Sequence, residues 1–121
     1  MSYREREGEP VARHFGQMKK RAGKEAYCLF IAPTINKACL AHFFALNKIG
    51  ISYYGGKTKI IPLELGQFMQ LVENSYNYRA QPTPHNIRRF LDEVMRQEEL
   101  AHDENDWNDR IQTCVAQWLA A

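Results

Sequence analysis

Residues 26–46 read AYCLFIAPTINKACLAHFFAL, and this stretch decides the fold class. Tyr27-Cys28-Leu29-Phe30-Ile31 is short, apolar and rich in β-forming residues, and it stops at Pro33. Such a run predicts a strand buried on both faces, which needs helices above and below it. Leu40, Phe43, Phe44 and Leu46 then form an apolar surface on a predicted helix, with Thr34 or Asn36 as its N-cap and Gly50 as its stop. A buried strand feeding a helix is an α/β unit.

The chain on either side fits that unit. Upstream, Met1 to Glu9 is dense in Arg and Glu, and Pro10 suits the first turn of a helix. Val11, Phe15, Met18 and Ala22 recur at helical spacing until Gly23. Downstream, Ile51-Ser52-Tyr53-Tyr54-Gly55-Gly56 reads as a loop into a second strand at Lys59 to Ile61, with a hairpin as the other reading. Because Ile60-Ile61 is a continuous apolar pair, it resembles a buried parallel strand more than an alternating one. A right-handed crossover would lay it beside the first strand.

A stripe of Leu65, Phe68, Met69, Leu71 and Val72 predicts a helix ending near Asn74, and Ser75 to Thr83 reads as a polar linker. Thr83 as N-cap and Pro84 at the first position open another helix, with Ile87, Phe90, Leu91, Val94 and Met95 at the right spacing. After a break at His102 to Asp106 comes a last helix with Trp107, Ile111, Cys114, Val115, Trp118 and Leu119 on its face. Two tryptophans on one stripe call for a deep partner surface, supplied by the rest of the domain. The expected fold is a small α/β sheet with at least one strand-helix-strand crossover, flanked by helices, over residues 5–75, followed by a C-terminal helical pair over 83–120.

A chain of 121 residues with 45% hydrophobic and 25% charged residues is one globular domain. The formal net charge of +2 makes no global demand for a polyanionic partner, although a local basic patch would still hold one. Cys28, Cys39 and Cys114 are widely spaced inside apolar runs and read as reduced core residues. With no signal-like or membrane-spanning run, the expected location is the cytoplasm.

Motifs are sparse. The sequence has no HExxH, CxxC or P-loop. His42 lies on an apolar helix face as a packing residue, while His85 and His102 read as solvent-facing. Gly55-Gly56 reads as a turn, and Glu98-Glu99 with the Asp-rich turn near Asp106 as solvated helix ends and caps. Lys19, Lys20, Arg21 and Lys24 form a basic cluster that is either a solvated, dipole-compatible helix end or a phosphate-contacting patch. In the charged lead-in and first helix, Glu5 to His14, acids stand beside Arg and His, a combination that suits a hard divalent cation and a phosphodiester.

In series, EGEPVARH, AYCLFIAPTIN, AHFFALN and IIPLELGQFMQLV resemble the carboxyl-terminal half of the catalytic domain of AlwI-type, type IIS restriction endonucleases, with matching order and spacing from about Glu5 to Val72. The resemblance implies a PD-(D/E)XK nuclease with a partial restriction-endonuclease-like fold, which cleaves DNA phosphodiesters with Mg²⁺. It implies that Glu7 joins the metal site and that Arg13 and His14 face the scissile phosphate or a neighbouring one. It also implies that the family's other metal-binding acids stand on strands before the matching segments. The chain is therefore expected to be an incomplete nuclease domain, catalytically inactive alone.

A first strand that lacks its catalytic neighbour would leave an edge, so self-association as a homodimer, or pairing with a missing N-terminal segment, is expected. The alternative reading is a non-catalytic DNA-binding or subunit-interaction module derived from such a nuclease.

Overall fold

The computed structural model describes residues 26–50, 52 and 56–120. The elements run β1 (Cys28–Ala32), α1 (Lys37–Lys48), β2 (Ile60–Glu64), α2 (Leu65–Asn77), α3 (Pro84–Leu100) and α4 (Glu104–Gln117). β1 and β2 pair in parallel, in a register from Cys28 opposite Ile60 to Ala32 opposite Glu64. The strand-helix-strand unit and the two closing helices are those expected from the sequence.

One expectation is reversed. The strand over Tyr27 to Ile31 is not buried on both faces: Leu29 is 44% and Ile31 39% exposed. β2 is the buried strand, with Ile60, Ile61 and Leu63 fully enclosed. The reason is that β2 has β1 beside it and helices on both faces, whereas no other described residues pair with the outer edge of β1. Pro62 sits inside β2 opposite Phe30, which is tolerable because β2 serves one ladder among the described residues.

Alternation along the strands divides the core. Cys28, Phe30 and Ile60 meet Cys39, Phe43 and Leu46 of α1, with the Phe30 and Phe43 rings edge-on at 5.2 Å. Ile61 and Leu63 pack with Leu71, Phe90, Val94, Trp107, Ile111 and Val115. Trp107 is wholly buried, its ring 5.7 Å from that of Phe44, and its Nε1 donates to the Val94 carbonyl at 3.2 Å. Trp118 lies just past the end of α4 and donates to the Asn86 carbonyl at 3.0 Å. Both tryptophans are thus used within the fold.

The helix ends follow local chemistry. Asn36, not Thr34, caps α1, its Oδ1 accepting from the Ala38 N–H at 2.7 Å. Gly50 follows the end of α1 at φ +84°, and a Cβ there would lie 2.5 Å from the backbone nitrogen of Lys57, so only glycine fits. Thr83 caps α3 through Asn86, and Asp103 caps α4 through Asp106. α2 runs past its expected end near Asn74 to Asn77, because Asn74 is buried and its Nδ2 donates to the Val115 carbonyl at 2.7 Å, tying α2 to α4.

The three cysteines form no disulfide among the described residues; Cys39 and Cys114 are buried and Cys28 is half-buried. His42 is half-buried, while His85 and His102 are exposed. No described helix is long and apolar enough to cross a membrane.

Candidate nucleic-acid interface

The site grows from the segment that leads into β2. Thr58 is buried, and its hydroxyl donates to Oδ1 of Asn47 at 2.8 Å. The same Oδ1 accepts from the Ile60 N–H at 2.9 Å, while Asn47 Nδ2 donates to the Ile60 carbonyl at 2.8 Å. One buried amide near the end of α1 therefore fixes both the side chain of Thr58 and the first residue of β2. Because an extended chain alternates sides, holding Thr58 inward turns Lys57 and Lys59 outward, and both line the adjacent cleft.

That cleft, about 550 Å³, lies between the segment 57–59, the end of α1 and the last turns of α3. Lys48 closes one side: its ammonium donates to the carbonyls of Glu98 and Ala101 at 3.4 and 3.1 Å and lies 5.0 Å from the centre of the Phe44 ring. It thereby caps the carboxyl end of α3, where the helix dipole favours a cation. Lys59 lies 5.0 Å above the Tyr27 ring, and the Tyr27 hydroxyl hydrogen-bonds to Asp92 across the cleft. Arg96 is paired with Glu93 at 2.8 Å.

Glu98 departs from its sequence reading. The pair Glu98-Glu99 was expected to be solvated; Glu99 is exposed, but Glu98 is only 3% exposed and its Oε1 has no hydrogen-bond partner among the described residues. The cause is position on the helix: Phe90, Val94, Glu98 and Ala101 form one stripe, and that stripe faces the core. Burial pushes the Glu98 carboxyl above the usual carboxylate range, a shift that Lys48 and Lys57 oppose and Glu99 reinforces.

A second cleft of about 720 Å³ runs between α3 and the end of α4, lined by Arg89, Phe90, Glu93, Cys114 and Trp118 among others. Burial pushes the Cys114 thiol up to about 11, so it is no nucleophile at neutral pH. The basic cleft is the better candidate for binding.

Every site residue predicted from the sequence, Glu7, Arg13, His14, Lys19, Lys20, Arg21 and Lys24, lies outside the described residues. Among the described residues no three His, Cys, Asp or Glu side chains come together as a metal centre. Sequence reasoning missed Lys57, Lys59 and Glu98. The signal for the lysines was present: Lys-Thr-Lys before a buried Ile-Ile is an alternating entry into a strand. For Glu98 it was the continued spacing from Phe90 and Val94 to Ala101.

No curated protein matches the chain in sequence. A family model described as AlwI restriction endonuclease matches residues 2–71, more than half of the 121 residues. That match takes in both strands, α1 and the Lys57-Thr58-Lys59 segment. The chain belongs to the AlwI restriction endonuclease family.

Proposed function

We propose that this chain works on DNA as part of a Mg²⁺-dependent phosphodiester hydrolase, and that the 121 residues alone do not cleave. The observation that carries this reading is the family match over residues 2–71, which contains the clamped Lys57/Lys59 pair as well as Glu7, Arg13 and His14. Cations on a rigid segment suit the DNA backbone, because they neutralise phosphates without reading sequence.

Glu7 is the proposed metal ligand, with Arg13 and His14 on the phosphate side and Lys19, Lys20, Arg21 and Lys24 as further DNA contacts. The roles of Glu7, Arg13 and His14 rest on the resemblance, and those of Lys19, Lys20, Arg21 and Lys24 on their clustered charge. A bound divalent cation supplies a polarised water and charge stabilisation at the phosphoryl group. The described residues contribute binding: Lys57 and Lys59 hold the strand, and Thr58 with Asn47 fixes where they stand. Inactivity of the 121 residues follows from the same resemblance, which puts the remaining acids on other strands.

The test is incubation of purified protein with supercoiled plasmid and Mg²⁺. The plasmid is expected to remain supercoiled. Nicking that follows the protein through purification and disappears in Glu7→Gln would show a complete active site and overturn the inactive reading.

We also propose self-association through β1. Its outer edge meets no other described strand, and Leu29 and Ile31 are exposed beside that edge, a combination that favours strand-to-strand pairing. Sedimentation equilibrium is expected to show a dimer that Leu29→Lys weakens; a monomer at high concentration would remove this reading.

A further inference from the structure

The DNA reading leaves the buried acid of the basic cleft without a role. Glu98 is 3% exposed, its Oε1 is unpartnered among the described residues, and it stands in the last turn of α3, where the helix dipole opposes negative charge. Its neighbours on the stripe, Val94 and Ala101, are apolar. Lys48 takes the backbone carbonyl of Glu98 and not its carboxylate. A buried carboxyl without a hydrogen-bonded partner is costly, so packing alone gives no reason for an acid at this position.

The groups around it come from every side of the cleft: Lys48 from α1, Lys57 and Lys59 from the segment before β2, Tyr27 from just before β1, and Asp92, Arg96 and Glu99 from α3 itself. Arg96 is engaged with Glu93, and Lys48 with the end of α3. Lys57 and Lys59 are the cations whose backbone is set by the Thr58 clamp. The cleft therefore holds two lysines on a backbone set by Thr58, beside one buried acid.

We propose, resting on the DNA reading above, that this cleft seats one backbone phosphate of DNA on Lys57 and Lys59, and that Glu98 is the residue that limits its affinity. When ionised, the Glu98 carboxyl absorbs part of the lysine field and repels the incoming phosphate. When neutral, it leaves that field to the ligand. Phosphate binding in turn favours the protonated carboxyl, so binding at this cleft is coupled to proton uptake.

Fluorescence anisotropy of a labelled duplex, titrated with the full chain over a KCl series, tests this at two pH values, one near the ordinary carboxyl value of 4.5 and one well above it. The Lys57→Gln/Lys59→Gln double variant is expected to bind about tenfold more weakly at low salt, with a salt slope smaller by about one. Glu98→Gln is expected to bind about threefold to tenfold more tightly at the higher pH, with a smaller gain at the lower pH. Thermal melts of each variant verify the fold, and Lys57→Gln alone serves if the double variant melts early.

Unchanged binding by the lysine variants, with the unmodified chain still binding, overturns the cleft assignment and leaves the DNA reading standing. Glu98→Gln that weakens binding marks the acid as an acceptor for a donor group and overturns its limiting role; no change marks it as packing and does the same. No binding by the unmodified chain removes the DNA reading itself.

Discussion

The hydroxyl of Thr58 donates to Oδ1 of Asn47 at 2.8 Å inside the core, joining the end of α1 to the entry of β2. Asn47 makes two further bonds to the backbone of Ile60, so one side chain satisfies three polar groups that have no water to turn to. Asn47→Ala is expected to lower stability by about 2–4 kcal/mol, since it leaves buried donors and acceptors unpaired. Thr58→Val removes only the hydroxyl contact and is expected to cost about 1 kcal/mol. Urea unfolding midpoints of the two variants check the ranking.

Glycines 50 and 56 both have positive φ, +84° and +93°, but their surroundings differ. A Cβ on Gly50 meets the backbone of Lys57 at 2.5 Å, whereas one on Gly56 meets nothing within 4 Å. Gly56→Ala is expected to cost about 1–2 kcal/mol of backbone strain alone. Gly50→Ala adds a backbone clash and is expected to cost about 3 kcal/mol or more. Equal melting temperatures for the two variants would contradict this.

Glu98 makes stability depend on pH. Its folded carboxyl titrates above its ordinary value of 4.5, so the folded chain binds that proton more tightly than the unfolded chain. The resulting stabilisation is complete below pH about 4.5 and is lost as pH rises through the folded value. Glu98→Gln removes this dependence. The melting temperature of the variant is expected to rise relative to the parent as pH increases from about 4.5 through the folded value. A constant difference across that range would show that Glu98 does not titrate in the fold.

The thiols are expected to react in order of access. Cys28 is half-buried, whereas Cys39 and Cys114 are buried and burial pushes the Cys114 thiol up to about 11. Alkylation of the native chain followed by mass mapping is expected to label Cys28 first, and slowly, because its own thiol is also raised by burial. Early labelling of Cys114 would mean that α4 opens more readily than its packing implies.

The sequence carried the architecture because each element had its own local signal. The strand ended by Pro33, the Thr83-Pro84 start of α3 and the stripe of α4 from Trp107 to Val115 were all legible, whereas Trp118 and Leu119, expected on that helix, lie past its end. The depth of the strands was not legible. Apolar composition is the same for a buried strand and for one with an unpaired edge, so Leu29 and Ile31 read as core although they are exposed. Glu98 was misread because its charge was weighed above its spacing; the stripe from Phe90 through Val94 to Ala101 carries it inward. The roles of Glu7, Arg13 and His14 came from family resemblance, since neither periodicity nor composition assigns a metal ligand to one acid among several.

Salt-dependent DNA binding tests the central claim most directly. With the unmodified chain, a labelled duplex and no Mg²⁺, the logarithm of the affinity is expected to fall linearly with the logarithm of KCl concentration, at a slope set by the phosphates that Lys57, Lys59 and the amino-terminal cations neutralise. No binding at low salt, or binding indifferent to salt, would contradict a DNA-directed role for this chain.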